Sequence, residues 1–223
     1  MWSAGSEQHL YLDSSELQAL DAVMRDWKGA LPPEAKRSVA HIWLSGALAV
    51  PFMLPPIEGL RNRAEAQRLA ESSAPVEAGL QGSCTVWLDA WKPGRPCLAV
   101  AVQQELVAAI QAAASGAGIK LKSMQPWWNW ALSDHLHRKG AVRLLAVIEE
   151  DALTVIGSDG ERVTSAQSQR PRPAPERIDA QLRRQAVSLD VSIAEVLRVS
   201  MSRDAKEGEP APGGVARWQE QGL

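Results

Sequence analysis

Residues 143–169 read RLLAVIEEDALTVIGSDGERVTSAQSQ. Three runs, 143–151, 152–160 and 161–169, alternate strand-forming residues with turn residues, the pattern of an antiparallel meander. Asp159-Gly160 is a hairpin signal, since this dipeptide accepts the positive φ of a tight type I′ turn. A proline-rich connector, RPRPAP (170–175), leads to ERIDAQLRRQAVSL (176–189), which reads as a helix. The next run, VSIAEVLRVSM (191–201), is ambiguous between helix and strand. Residues 141–202 therefore predict a small antiparallel α+β lobe, a three-stranded meander plus a helix.

Upstream, residues 1–140 change texture. QHLYLD (8–13) reads as a short strand. Residues 14–28 predict a helix, with Asp13 or Ser14 as cap and Leu17, Leu20, Met24 and Trp27 at helical spacing. Gly29 ends it, and Pro32-Pro33 prevents a restart. VAHIWL (39–44) and ALAVPFML (47–54) suit two strands around the turn dipeptide Ser45-Gly46, with Pro51 demanding a sheet edge or a bulge. Residues 57–73 predict a helix with Leu60, Ala64 and Leu69 inward. SCTVWLD (83–89) and CLAVAV (97–102) predict strands joined by a turn over 91–96. Residues 103–116 form an amphipathic helix with Leu106, Val107, Ile110, Ala113 and Ala114 on one face. A strand over 119–124 follows, and Pro126 suits the first position of a helix over WWNWALSDHLHRK. Strands alternating with helices predict α/β layers. From 203 to 223 the chain is rich in Gly, Pro and Glu and predicts a disordered tail.

Composition narrows the function classes. Lys+Arg number 24 against Asp+Glu 26, a net charge of -2. No basic surplus exists to drive nucleic-acid binding by counterion release. The arginine groups 61/63/68 and 170/172/177/183/184 are interrupted by acids and read as solvated helix faces. Cys84 and Cys97 flank a turn and are read as two buried thiols in a reducing compartment, although a hairpin would let them face each other. The N-terminal residues carry no apolar signal core, and no apolar run approaches the roughly 20 residues of a membrane span. A cytoplasmic protein without direct membrane insertion is expected.

The chain carries few chemistry-bearing motifs. GxxxxGK[ST] and GxGxxG are absent, and Gly116-Ala117-Gly118 follows a helix, the wrong order for a phosphate loop. Asp159-Gly160 resembles an Asp-x-Gly phosphate turn but sits in a tight hairpin. His135 and His137 would lie about 200° apart on a helix, unable to share a metal. His41 reads as a sheet-face residue. Ser45 lacks the leading glycine of a nucleophile elbow. Glu149-Glu150-Asp151 reads as a solvated acidic turn. No catalytic residue, metal ligand or cofactor site is expected. What stands out is nine Trp against one Tyr and one Phe. Tryptophan both fills cores and anchors interfaces. In Trp127-Trp128-Asn129-Trp130 a helix would put Trp127 and Trp130 on one face and Trp128 on another.

Three stretches carry a family resemblance: 43–71 (WLSGALAVPFMLPPIEGLRNRAEAQRLAE), 95–132 (RPCLAVAVQQELVAAIQAAASGAGIKLKSMQPWWNWAL) and 143–169. A hairpin ends in Leu-Pro and leads to a helix. "AVAV" then runs into QQELVAAI, AGIKLKSMQP precedes another helix, and IEEDALTV follows. This order resembles the actin-like assembly proteins of type IV pili and type II secretion, namely pilus assembly protein M and the cytoplasmic domain of secretion protein L, over residues 39–189. The resemblance implies a reduced actin-like (ribonuclease H-like) mixed sheet with helices, residues 1–140 being the first lobe and 141–202 a partial second. The phosphate loops and adenosine-pocket glycines of the family have no counterpart in this sequence. The expectation is a non-catalytic scaffold at the inner membrane, bound to a membrane-anchored or assembly-ATPase partner, with a homodimer among the assemblies allowed. An actin-like ATP-binding protein and a small α/β enzyme are the alternatives. The partner surface is placed on the edge strand with Phe52 and Met53, on Trp127, Trp128 and Trp130, and on Trp218.

Overall fold

The computed structural model describes residues 8–30, 39–138, 143–159, 162–201 and 218–221. The first strand, β1 (Gln8–Leu12), is followed by a 3-10 turn, Leu17–Ala19, and helix α1 (Leu20–Ala30). Then come β2 (Val39–Leu44), β3 (Val50–Leu54), α2 (Arg63–Glu77), β4 (Cys84–Leu88) and β5 (Cys97–Gln103). Helix α3 (Gln104–Gly116), β6 (Lys120–Pro126) and α4 (Trp127–Arg138) complete the first half. The second half holds β7 (Leu144–Ile148), β8 (Leu153–Ser158), β9 (Val163–Gln169), α5 (Pro175–Ser188), β10 (Val196–Met201) and β11 (Trp218–Gln221).

These strands form three sheets. β1, β2 and β6 make a parallel sheet in the order β1-β2-β6. β3, β5 and β4 make an antiparallel one, with β5 central. The third runs β11-β10-β7-β8-β9. Its meander β7-β8-β9 is antiparallel as the sequence predicts, and α5 returns the chain so that β10 lies parallel to β7. A meander, a helix and then a strand parallel to the first is the ribonuclease H-like arrangement of actin-like folds. The ambiguous run 191–201 resolves into a 3-10 turn, Ile193–Glu195, and this strand. The lobe is therefore mixed rather than purely antiparallel.

Burial explains the continuous apolar strands. On β7, Leu145 and Val147 join the main core with Met24, Ile42, Leu44, Ile110 and Trp128, whereas Leu144 and Ala146 join Ile178, Leu182 and Ala186 of α5. A strand covered on both faces loses polar alternation. β5 does the same: Leu98, Val100 and Val102 face the main core, and Cys97, Ala99 and Ala101 face α2. The inner stripe of α2 is Ala66, Ala70, Ala74 and Ala78, at a spacing of four. So thin a stripe seats the helix close to the sheet.

Several expectations shift. Helix α2 begins at 63 rather than 57, because Asn62 caps it: its Oδ1 accepts the Glu65 N–H at 3.0 Å, and Glu65 Oε2 accepts the Arg61 N–H at 2.8 Å. This pair resembles a capping box, with Glu65 reaching back one residue beyond the cap. β2 and β3 form no hairpin. The N–H groups of Leu48 and Ala49 both bond the Ser45 carbonyl, making one helical turn that sends β3 into a different sheet. Cys84 lies opposite Gln103 and Cys97 opposite Leu54, at opposite ends of β5, so the two thiols do not face each other. Within the expected disordered tail, 218–221 pair antiparallel with β10 and satisfy its outer edge, while the rest of 203–223 lies outside the described residues. His135 and His137 lie on α4.

Candidate functional site

The two halves meet at the C-terminal ends of β1, β2 and β7. β1 delivers Tyr11 and, just beyond its last residue, Asp13, which is 1% exposed. The turn after β2 delivers Ser45 and Gly46, both buried. From the other half, the β7–β8 turn brings Glu149 and Asp151. Glu149 is fully buried, although a solvated turn is what the acid triplet predicts; only Glu150 of the three is exposed.

Hydrogen bonds stitch this seam. Glu149 Oε2 accepts the Gly46 N–H at 2.8 Å, and Oε1 accepts the Tyr11 hydroxyl at 3.1 Å. Asp151 Oδ2 accepts the Ser14 N–H and the Ser45 hydroxyl, each at 2.9 Å. Asp13 Oδ1 accepts the Ser15 N–H, the Ser15 hydroxyl and the Glu16 N–H, closing the turn before α1. Ser168 donates to the Gly46 carbonyl at 2.8 Å. Arg170 donates to the carbonyls of Ala47, Ala78 and Gly79, and Arg172 to that of Glu149. Gly46 is there because nothing larger fits: a Cβ would collide with Thr154 Oγ1 and stand 2.8 Å from Glu149 Oε2.

Burial dominates the electrostatics. It pushes the Glu149 carboxyl up to about 8; the bonds from Gly46 and Tyr11 oppose the shift, and the neighbouring Asp151 and Asp13 add to it. Burial thus favours the neutral form of Glu149. The Tyr11 phenol is raised far above its ordinary value, first by burial and then by Glu149 and Asp151. Burial also raises both thiols, Cys84 and Cys97. Among the described residues no group of three or more His, Cys, Asp or Glu could hold a metal ion.

A second feature lies between the antiparallel and parallel sheets. A groove of about 260 Å³ is lined by Trp87, Leu98, Val100, Met124, Trp128 and Asn129, among others. The outer edge of β4 beside it is covered: Gln67 and Arg63 of α2 donate to the Val86 and Leu88 carbonyls, each at 2.7 Å. β6 pairs with β2 alone among the described strands. Its Lys120 and Lys122 are exposed, and Trp87 and Met124 are half-buried at the groove.

The expected partner residues scatter. Phe52 is 3% exposed and packs in the α2 core. Met53 is half-buried against the main core. Pro51 does sit on an edge strand of its sheet, but β3 lies alongside β9, so that edge does not face water. Trp128 is 0% exposed and donates its indole N–H to the Ala49 carbonyl at 2.9 Å. Trp127 is 2% exposed, edge-on to Tyr11 and stacked on Trp130. Phe52, Trp127 and Trp128 are therefore buried in the core, which leaves little of their surface for a partner. Trp130, 38% exposed, remains at the surface. Trp218 stands in β11 opposite Met201. The seam itself escapes the sequence reading, whose only signal for it is an acid directly following the apolar run LLAVI.

Three solved structures resemble the chain. One is a protein of Bacteroides thetaiotaomicron with an actin-like ATPase fold and unknown function, at 11% identity and a TM-score of 0.46, covering 69% of this chain and 56% of that one. Another is the cytoplasmic domain of EpsL, an inner-membrane component of the type II secretion system of Vibrio cholerae, at 12% identity and 0.46, covering 79% and 74%. The third is the PilM-PilN type IV pilus biogenesis complex, at 16% identity and 0.45, covering 80% and 54%. The chain thus spans little more than half the length of two of them. No family model matches the sequence, and no curated protein does. No helix among the described residues is long and apolar enough to cross a membrane.

Proposed function

We propose that this chain is a non-catalytic cytoplasmic scaffold of a pilus-like or secretion-like envelope machine, held at the inner membrane by a protein partner. The observation that carries the reading is the seam. In an actin-like fold the space between the halves is where a nucleotide would sit. Polyphosphate binding needs open backbone N–H groups and cations, which offset the cost of removing so much charge from water. Here the N–H groups of Ser14, Ser15, Glu16 and Gly46 already serve the carboxyls of Asp151, Asp13 and Glu149. The two guanidinium groups nearby, Arg170 and Arg172, serve backbone carbonyls.

The partner site is the groove beside β6. Its occupant is an extended segment of an inner-membrane protein, adding by main-chain hydrogen bonds to the β6 edge that no described strand pairs and placing apolar side chains against Trp87 and Met124. The exposed Lys120 on that strand favours an acidic residue in the segment. Synthetic peptides from the cytoplasmic segments of inner-membrane proteins encoded beside this one, titrated into the chain, test the idea. Saturable binding that Trp87→Ala weakens about tenfold or more is expected; binding indifferent to Trp87, or none, removes the groove. Calorimetric titration with Mg-ATP is expected to give no saturable heat, and a micromolar dissociation constant would overturn the non-catalytic reading.

A further inference from the structure

The seam is built around a fully buried carboxyl whose hydrogen-bond donors among the described residues are both uncharged. Glu149 comes from the second half, yet both its oxygens bond groups of the first, the Gly46 N–H and the Tyr11 hydroxyl. We propose that Glu149 is a proton-operated latch between the two halves: neutral, it closes the seam, and loss of its proton opens it.

The surroundings fix the sign. From β1 and the turn after it come the Tyr11 phenol and the Asp13 carboxyl, and from the β7–β8 turn comes Asp151. β8 and β9 bring the uncharged Thr154 and Ser168 to the Gly46 turn, their hydroxyls bonding each other at 3.2 Å. Arg172 reaches the Glu149 carbonyl rather than its carboxyl, and Arg170 reaches the Ala47 carbonyl. Glu150 is exposed. An ionised Glu149 would therefore face two other carboxyls, with one amide and one phenol in its support. Burying a charge so poorly compensated costs more than letting water in. The relief available is separation of the β7–β8 turn from the Gly46 turn. Burial holding the carboxyl near 8 instead of 4.5 agrees with this direction.

Linkage turns the latch into a measurement. An opening that releases Glu149 to water grows about tenfold per pH unit between the open and closed pKa values, and levels off above the closed one. Hydrogen exchange on the whole chain from pH 6 to 9, corrected for the intrinsic base-catalysed rate, reads this opening at the Ser14 and Gly46 amides. Protection there is expected to fall about tenfold per unit up to pH 8 and then level off. These amides are also expected to exchange at least about tenfold faster than the slowest amides of the buried β7 and of α5, which report the most global opening. In Glu149→Gln, a neutral isostere, the seam slope is expected to vanish. Three results overturn the latch: flat seam protection in the wild type, seam amides and the slowest β7 and α5 amides exchanging together at every pH, or a slope retained in the Gln variant. Should that variant fail to fold, the wild-type slope and the ratio of seam to slowest amides decide alone.

Discussion

Replacing Trp128 by alanine separates packing from recognition in the tryptophan-rich helix. The side chain is 0% exposed, belongs to the main core with Leu44, Ile110 and Leu145, and donates its N–H to the Ala49 carbonyl. Truncation removes the indole and leaves a cavity, at a cost of about 3–5 kcal/mol for a buried aromatic. It also strips a partner from the Ala49 carbonyl, in the turn that redirects the chain from β2 to β3, adding roughly 1 kcal/mol or more. At about 2–4 °C per kcal/mol for a chain of this size, the melting temperature falls by roughly 8–24 °C. Circular dichroism melts of wild type and variant measure it directly. Trp130→Ala, on the same helix but 38% exposed, is expected to move the midpoint by only a few degrees, about 1 kcal/mol or less. A Trp128→Ala protein melting within about 3 °C of wild type would refute the core assignment, and with it the claim that its indole anchors the β2–β3 turn.

Gly46→Ala is expected to lower stability by about 1–3 kcal/mol, since the new methyl must displace Thr154 or the Glu149 carboxyl; Gly29→Ala, with nothing within 4 Å, serves as control and gains up to about 1 kcal/mol in helix propensity. Equal midpoints for the two variants would show that the Gly46 turn does not touch the second half. Global stability is also expected to depend on pH through Glu149. Its pKa is raised from 4.5 to about 8, so the unfolded chain loses this proton first. Stability is then greatest below the lower value, declines as pH rises through the window, and flattens above the upper one, a total on the order of a few kcal/mol. Urea denaturation at intervals across that range checks it, and Glu149→Gln is expected to remove this part of the slope; a variant with the full wild-type slope would show that other groups carry it.

Local signals were legible wherever local physics decides. Proline, glycine and Asp-Gly positions, the amphipathic spacing of α3 and the apolar runs of β5, β7 and β8 identify elements because steric limits and hydrophobic period act within a few residues. The start of α2 was also written locally, in Asn62 and Glu65, but apolar periodicity continues ahead of the cap and masks it. The acid triplet shows the opposite case. Nothing in three consecutive acids tells which of them is buried, because burial depends on the Gly46 and Tyr11 donors more than 100 positions away.

By itself, then, the sequence determined β1 to β9, the helices and the β7-β8-β9 meander, since each rests on contacts between near neighbours, whereas β10 and β11 were not legible in it. It also carried the resemblance that pointed to an actin-like plan. The tertiary structure alone decided that β2 pairs with β1 and β6 instead of β3, that Trp128 is core while Trp130 is surface, and that Glu149 closes a seam. Each of these depends on which distant surface covers a side chain or strand edge, and desolvation by a distant neighbour leaves no periodic trace along the chain.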